Sequence, residues 1–319
     1  MKEKIHIAVC LDNGYVMPTG VLMYSACVNN QDVDIDFHVL IDESVNEEEQ
    51  KDLKDTISRF HGKRAIFYAL KSMTALSFPL VKKHLTRATY YRLSLSDILP
   101  SAIEKVLYLD GDIIVRHSLL PLWNTDVSNY AVGTVMDVGD GDIKIYNRLR
   151  YPYQKGYFNA GVLLINLKYW RENHIVKEFV EYINHYPERI KQEDQDVMNV
   201  VLRDKKLKLP VKYNLQTVFL TNDPCWDYWK YESEVKMGID DPVIVHYTSK
   251  WKPWYANLPF HHPYRNTFLK YQCQTKWKNC SLDCRSLYMK IRNYLGGVLR
   301  KAGVKKQTNS IFVVTSPID

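Results

Sequence analysis

VLYLDGDIIV, Val106 to Val115, is an apolar run that reads as a buried strand, yet it carries Asp110 and Asp112 around a single glycine. Carboxylates one strand step apart project to the same side. Burying two such charges without a counter-charge is strongly unfavourable, so a positive group or ion is expected there.

The flanking sequence says what kind of sheet holds this run. IHIAVCLD (residues 5–12) reads as a buried strand, and the PTGVLMYSACVNN that follows as a helix starting near Pro18. IDFHVLID is a second strand, and AIFYAL is a third. Between them lies the helix SVNEEEQKDLKDTISRF, with Ser44 as candidate cap and Leu53, Ile57 and Phe60 on one side. ATYYRLSLSDILP reads as helical up to Pro100, and KVLYLDGDIIV as one further strand. Alternating strands and helices predict an α/β fold, a mostly parallel sheet covered on both faces. Ligands of such sheets bind beyond the carboxyl ends of the strands, which puts Asp12 on the same rim as Asp110 and Asp112. The later half mixes the short strands AVGTVMD, AGVLLIN and PVIVHYT with a helix around DQDVMNVVLRDK.

Composition narrows the function classes. At 319 residues the chain can fill one large α/β domain with an appendage, or two modest domains. Its 23 tyrosines can line a surface that stacks rings or sugars as well as fill a core. There is no GxGxxG or Walker loop to support a dinucleotide or P-loop site. The six cysteines form no CxxC pair and the last three match no zinc template, which reads as reduced cytosolic thiols. The apolar segment before Asp12 is too short for a signal-peptide core, and no run approaches a membrane span. A cytoplasmic enzyme is expected.

Two chemistries fit an Asp-x-Asp at a strand end. Carboxylate oxygens suit Mg²⁺ or Mn²⁺, and such ions keep positions open for phosphate oxygens. Haloacid-dehalogenase-type phosphatases also carry the motif, with the first Asp as nucleophile. They usually have Thr or Val two places after the second Asp, and place the pair early in the chain. Here that place is Ile114, and the pair lies a third of the way along.

Further motifs separate these readings. LDNGY, VLYLDGDIIV, YFNAGVLLINLKYW (residues 157–170), QEDQDVMN (192–199) and VIVHYTSKWKPW (243–254) follow one another in that order. Together they resemble bacterial members of glycosyltransferase family eight. These are retaining enzymes of GT-A fold that include lipopolysaccharide galactosyl- and glucosyltransferases and are related to glycogenin. The resemblance runs from about residue 5 to about residue 260.

The resemblance implies a Rossmann-like GT-A domain over residues 1–262 and a basic, aromatic C-terminal extension over 263–319. Asp110 and Asp112 match the family's metal-binding pair and His246 its third protein ligand, and a neutral imidazole suits Mn²⁺. Asp12 and Tyr15 match positions that hold uridine, Tyr15 by stacking; alone, Tyr15 reads as a turn residue before a helix. Arg92 matches an arginine near the nucleotide sugar, and Lys252 a lysine on the diphosphate, with Lys250 solvated. Asn159, Asp194 and Gln195 match positions around the donor sugar, whereas Asp196 reads equally as a helix cap. Gln195 matches the residue facing the anomeric carbon and is an amide, hence a poor nucleophile. Same-face attack is expected over a covalent route through Asp194. Ser249 stands where the family usually has glycine, which puts the backbone contact to the diphosphate in doubt, and Gly111 carries no donor information.

The donor implied is UDP-glucose or UDP-galactose, with Mn²⁺ or Mg²⁺. The acceptor implied is a glycan or glycolipid such as lipopolysaccharide core or capsular oligosaccharide. A non-catalytic nucleotide-sugar binder is the further alternative. From Lys270 onward ten basic residues face two acidic ones, so the net charge of +7 belongs to the tail. SLYMKIRNYLGGVLRKAGVKK can form a basic amphipathic helix beside Trp277, which predicts either peripheral contact with an anionic inner leaflet or packing on the domain. No nucleic-acid-reading motif accompanies the charge, so no nucleic acid partner is expected.

Overall fold

A computed structural model of the chain describes residues 3–69, 91–221, 228–249, 252–256, 262–280 and Val298. Strands β1 (Lys4–Leu11) and β2 (Asp34–Ile41) run parallel over their whole length, from Lys4 opposite Asp34 to Leu11 opposite Ile41. With β3 (Lys63–Ala69), β4 (Lys105–Leu109), β6 (Val132–Met136), β7 (Phe158–Asn166) and β8 (Lys206–Lys208) they form a seven-stranded sheet of order β3-β2-β1-β4-β7-β6-β8. Strand β7 lies antiparallel to both its neighbours, β4 and β6. A second sheet holds β5 (Ile113–Val115), β10 (Ile244–His246) and β9 (Leu215–Gln216) in the order β5-β10-β9.

The continuous apolar reading of β1 has a direct cause. Ile5, Ile7, Val9 and Leu11 enter one core, which includes Val21 and Leu22 of helix Val16–Val28 and Leu53 and Ile57 of helix Glu47–Ile57. Ala8 enters the other, which includes Phe179 of helix Ile175–His185 and Val197 of helix Glu193–Leu202. Both faces of the sheet are covered, so alternation with polar residues is absent. This is the α/β architecture expected from the sequence.

Three local expectations change and one is refined. KVLYLDGDIIV is two strands in two different sheets, and the chain passes from one to the other at Asp110–Gly111–Asp112. Hydropathy is blind to that transfer because both pieces are equally buried. The first helix begins at Val16 after a 3₁₀ turn at Asn13–Tyr15, leaving Pro18 in its first turn, where a missing N–H breaks no helical bond. The second is capped by Asn46 rather than Ser44: Asn46 Oδ1 accepts from the Glu49 N–H and Glu49 Oε2 accepts from the Asn46 N–H, each at 2.9 Å. Ser44 instead accepts from the Asn13 N–H at 3.0 Å, tying the loop after β2 to the loop after β1. The segment before Pro100 holds a 3₁₀ turn, Arg92–Ser94, and a short helix, Leu95–Ile98; residues 88–90 lie outside the described residues.

Beyond His262 the described chain is packed down. Tyr264 and Phe268 join the first core, and the Trp277 ring occupies the notch at Gly20, where any Cβ would overlap it. Trp277 is thus a buried packing residue rather than an exposed companion to a membrane-facing helix; the basic segment itself and Lys250 lie outside the described residues. Cys10, Cys27, Cys273 and Cys280 are free thiols, while Cys225 and Cys284 fall outside the described residues. No described helix is long and apolar enough to cross a membrane.

Candidate active site

The chain is pinned at both ends of its passage between sheets. The Asp110 N–H still donates to Gly161 O of β7 at 2.8 Å, and the Tyr247 N–H donates to Asp112 O at 3.0 Å. Because β10 runs antiparallel to β5 with His246 opposite Ile113, the imidazole arrives beside both carboxylates. His246 Nε2 lies 3.2 Å from Asp112 Oδ1 and 3.7 Å from Asp110 Oδ2. One ligand atom from each of the three residues falls within 4.8 Å of the others. Asp112 and His246 are buried, whereas a quarter of the Asp110 side chain is exposed, so the group opens to one side.

The positive charge predicted at the pair is present in two side chains. Lys252 Nζ lies 2.5 Å from Asp112 Oδ2 and also donates to Tyr247 O. Arg92 Nη1 lies 3.0 Å from Asp110 Oδ1 and donates to Ala160 O at 2.9 Å, while Arg92 Nε lies 3.0 Å from Asp194 Oδ2. The guanidinium stacks on the Tyr108 ring at 4.6 Å, and the Tyr108 hydroxyl donates to Asp110 Oδ1 at 2.8 Å. Burial opposes ionisation of Asp112, yet Lys252 and His246 hold its carboxyl well below the usual range. Asp194 behaves oppositely: burial lifts it to about 7 against the pull of Arg92, with Asp110 and Glu193 adding to the rise. Burial also opposes the Arg92 charge, but Asp110 and Asp194 outweigh it and keep the guanidinium protonated.

Asn159 and Gln195 meet at the start of β7. Gln195 Oε1 accepts from the Ala160 N–H at 3.0 Å and from Asn159 Nδ2 at 3.3 Å, so both its lone pairs are engaged. Asp194 and Gln195 head helix Glu193–Leu202, after Glu193 in the left-handed region at φ 54°. For a non-glycine residue that conformation costs about 1–2 kcal/mol, stored at the turn that brings Gln195 onto β7 and Asp194 beside Arg92. Asp12 and Tyr15 follow β1 on the same rim, Asp12 Oδ1 accepting from the Gly14 N–H at 3.0 Å. Tyr15 is half-buried, edge-on to Trp254 at 6.3 Å, and its hydroxyl pKa is raised by burial and then by Asp112 and Asp110. Gly111 allows this approach, since a Cβ there would stand 3.0 Å from Tyr15 Cδ1 and 2.8 Å from Thr19 Oγ1. Ser249 is half-buried in the loop after β10.

Arg92, Asp110, Asp112, Asn159, Asp194, Gln195, His246 and Lys252 are therefore linked by ion pairs and hydrogen bonds, Tyr15 approaches them at Gly111, and Asp12 stands beside Tyr15 on the same rim. Asp196 is neither at that group nor an N-cap; it is a buried acceptor within the helix, paired with Arg148. Two members went unseen in the sequence. Asp137 closes β6 in an apolar strand ending on Asp, the same signal as at β4, and its Oδ2 accepts from Asn159 Nδ2 at 3.0 Å. Asn214, fully buried, has its Oδ1 2.9 Å from His246 Nδ1; nothing in KYNLQ marks it.

Two carboxylates and an imidazole nitrogen converging on one point form a donor set that fits a hard or borderline divalent ion. The family model "Glycosyl transferase family 8" matches residues 6–257. General stress protein A of Bacillus subtilis is 28% identical over 279 residues, 86% of this chain and 95% of that protein. Lipopolysaccharide 1,3-galactosyltransferase of Salmonella typhimurium is 28% identical over 287 residues, 88% of this chain and 81% of its own length. The crystal structure of galactosyltransferase LgtC with donor and acceptor sugar analogs superposes with a TM-score of 0.72 at 26% identity, covering 85% of this chain and 96% of that one. The α/β sheet flanked by helices is thus of the GT-A kind, and the chain belongs to glycosyltransferase family 8.

Proposed function

We propose that this glycosyltransferase moves a hexose, glucose or galactose, from a UDP-sugar to a hydroxyl of a glycan acceptor and keeps the anomeric configuration. The observation that carries this reading is the convergence of Asp110, Asp112 and His246 beside Asp194 and Gln195. Relatives named as lipopolysaccharide galactosyl- and glucosyltransferases support a hexose donor and a lipopolysaccharide-type acceptor; the proposal extends to a capsular oligosaccharide and to action at the inner face of the membrane.

Asp110, Asp112 and His246 would hold Mn²⁺ or Mg²⁺. Such an ion supplies Lewis-acid charge to a diphosphate when bound. Lys252 adds a second cationic contact to the leaving diphosphate, and Tyr15 and Asp12 hold the uridine. Arg92, fixed between Asp110 and Asp194, stays charged and orients both. Asn159, Asp137, Asp194 and Gln195 offer donors and acceptors to the sugar hydroxyls.

Gln195 has its oxygen taken by two donors, and Asp194 is buried with a raised carboxyl, so neither is a strong nucleophile. The C1–O bond therefore breaks with its electrons passing to the diphosphate. The acceptor hydroxyl attacks on the same face, and its proton goes to the departing phosphate oxygen. A phosphatase role for Asp110 is disfavoured, because its Oδ1 is held by Arg92 and Tyr108.

A donor panel tests this. UDP release from UDP-glucose or UDP-galactose should require Mn²⁺ and an acceptor, and NMR of the product should show the donor's anomeric configuration. No release from either donor across glycan acceptors, or an inverted product, contradicts the proposal.

A further inference from the structure

His246 can present either ring nitrogen as its lone pair, and only one choice leaves Nε2 able to join the carboxylates on a cation. Asp112 Oδ1, 3.2 Å from Nε2, can face either a cation held by a bare Nε2 or a proton on it, so the choice is made by the hydrogen bonds on the Nδ1 side. The chain starts at a group with no freedom: the backbone N–H of Gly161 can only donate, and it lies 3.0 Å from Asn159 Oδ1. On its other side Asn159 Nδ2 lies 3.0 Å from Asp137 Oδ2, an acceptor. Flipping the Asn159 amide would put donor against donor at Gly161 and acceptor against acceptor at Asp137, so its orientation is locked twice.

Asn159 Oδ1 also receives Asn214 Nδ2 at 2.9 Å, which turns Asn214 Oδ1 towards His246 Nδ1 at 2.9 Å. An amide oxygen cannot donate, so Nδ1 must carry the proton. Asn214 and His246 are buried, at 0% and 3% exposure, so water does not offer a competing partner. The same Gly161 accepts the Asp110 N–H through its carbonyl, and a Cβ there would overlap His246 Cε1 and stand 2.7 Å from Asp110 Oδ2. One short stretch of β7 thus positions both a carboxylate and the imidazole.

We infer that Asn214 is a positioning residue that, with Asn159 and the Gly161 amide, fixes the proton on His246 Nδ1 and keeps Nε2 as the cation-facing lone pair. Removing a partner of this kind lowers metal affinity about 10–100-fold. The inference rests on reading Asp110, Asp112 and His246 as a cation site, and its test separates the two.

Long-range nitrogen–proton NMR of the histidine-labelled protein reads directly whether His246 Nδ1 carries a proton. The His246 signal is assigned by its loss in His246→Gln. The expected result is a protonated Nδ1 in the wild type, retained in Asn214→Asp, whose carboxylate still accepts, and lost to a mixture in Asn214→Ala. Calorimetric titration with Mn²⁺ should then show Asn214→Ala weakened about 10–100-fold and Asn214→Asp weakened less. A wild-type His246 with no proton on Nδ1 overturns the inference even if Asn214→Ala fails to fold. So does an Asn214→Ala protein with unchanged tautomer and Mn²⁺ affinity. A wild type that binds no Mn²⁺ but keeps the Nδ1 proton sinks the cation reading alone.

Discussion

Asp194 and Asp196 stand two residues apart in one motif and do opposite things. Asp196 is fully buried, and its Oδ2 accepts from Arg148 Nη1 at 2.6 Å and from the Lys191 and Gln192 N–H groups, each at 2.7 Å. Its Oδ1 accepts from the Tyr157 hydroxyl at 2.8 Å and from Arg148 Nη2 at 3.2 Å. Asp194 Oδ2 is just as buried but has no aligned hydrogen-bond donor among the described residues, only the Arg92 guanidinium beside it. A saturated carboxylate has nothing left to offer a ligand, whereas one held by charge without filled lone pairs does. The same contrast separates the loop anchored by Asp140 and Tyr146 from the rim around Asp110, Asp112 and His246.

Substitutions that remove one side of this contrast should affect different observables. The largest effect is expected from Asp112→Asn, which should lower UDP release from the folded protein by about 10³-fold, equivalent to about 4 kcal/mol. Asp196→Ala should do the converse: stranding Arg148 costs about 3–5 kcal/mol in a denaturant titration, while UDP still binds the folded fraction. Its counterpart Asp194→Asn should slow transfer about 10²-fold without that loss of stability. Equal stability losses at the two positions would break the comparison.

Smaller effects sharpen it. Gly161→Ala should cost about 1–3 kcal/mol, since the new methyl meets His246 and Asp110, and Mn²⁺ titration of the folded variant should show weakened binding. pH gives the finest distinction. In the folded protein the Asp194 carboxyl holds its proton up to about 7, against an ordinary 3.8. Between those values the folded state binds more protons than the unfolded one, so this group's contribution to stability is lost as pH rises. The melting temperature of Asp194→Asn relative to wild type should therefore climb from pH 4 to pH 7, by roughly 2–4 °C for each kcal/mol involved.

Much of this was readable from residue types alone. The covered parallel sheet follows from runs such as IHIAVCLD, and the rim position of Asp12 and Asp110 follows from where those runs stop. Motif order, rather than periodicity, pointed to His246, Lys252 and Gln195, more than 80 residues from the acidic pair. The transfer between sheets at Gly111 escaped because hydropathy cannot tell which sheet a buried strand joins. Asn214 escaped because its role exists only through Asn159 and the Gly161 amide, residues distant in sequence and brought together by β7 and β9. Ser44 and Asn46 both satisfy a capping preference, and only the reciprocal bond from Glu49 decides between them.

The cation site is tested most directly by calorimetric titration of UDP into the wild type and Asp112→Asn, with and without Mn²⁺. UDP affinity should rise at least about tenfold with Mn²⁺ in the wild type, a coupling of about 1.4 kcal/mol, and should not respond to Mn²⁺ in Asp112→Asn. Equal wild-type affinity with and without the ion, or an undiminished response in Asp112→Asn, would contradict it.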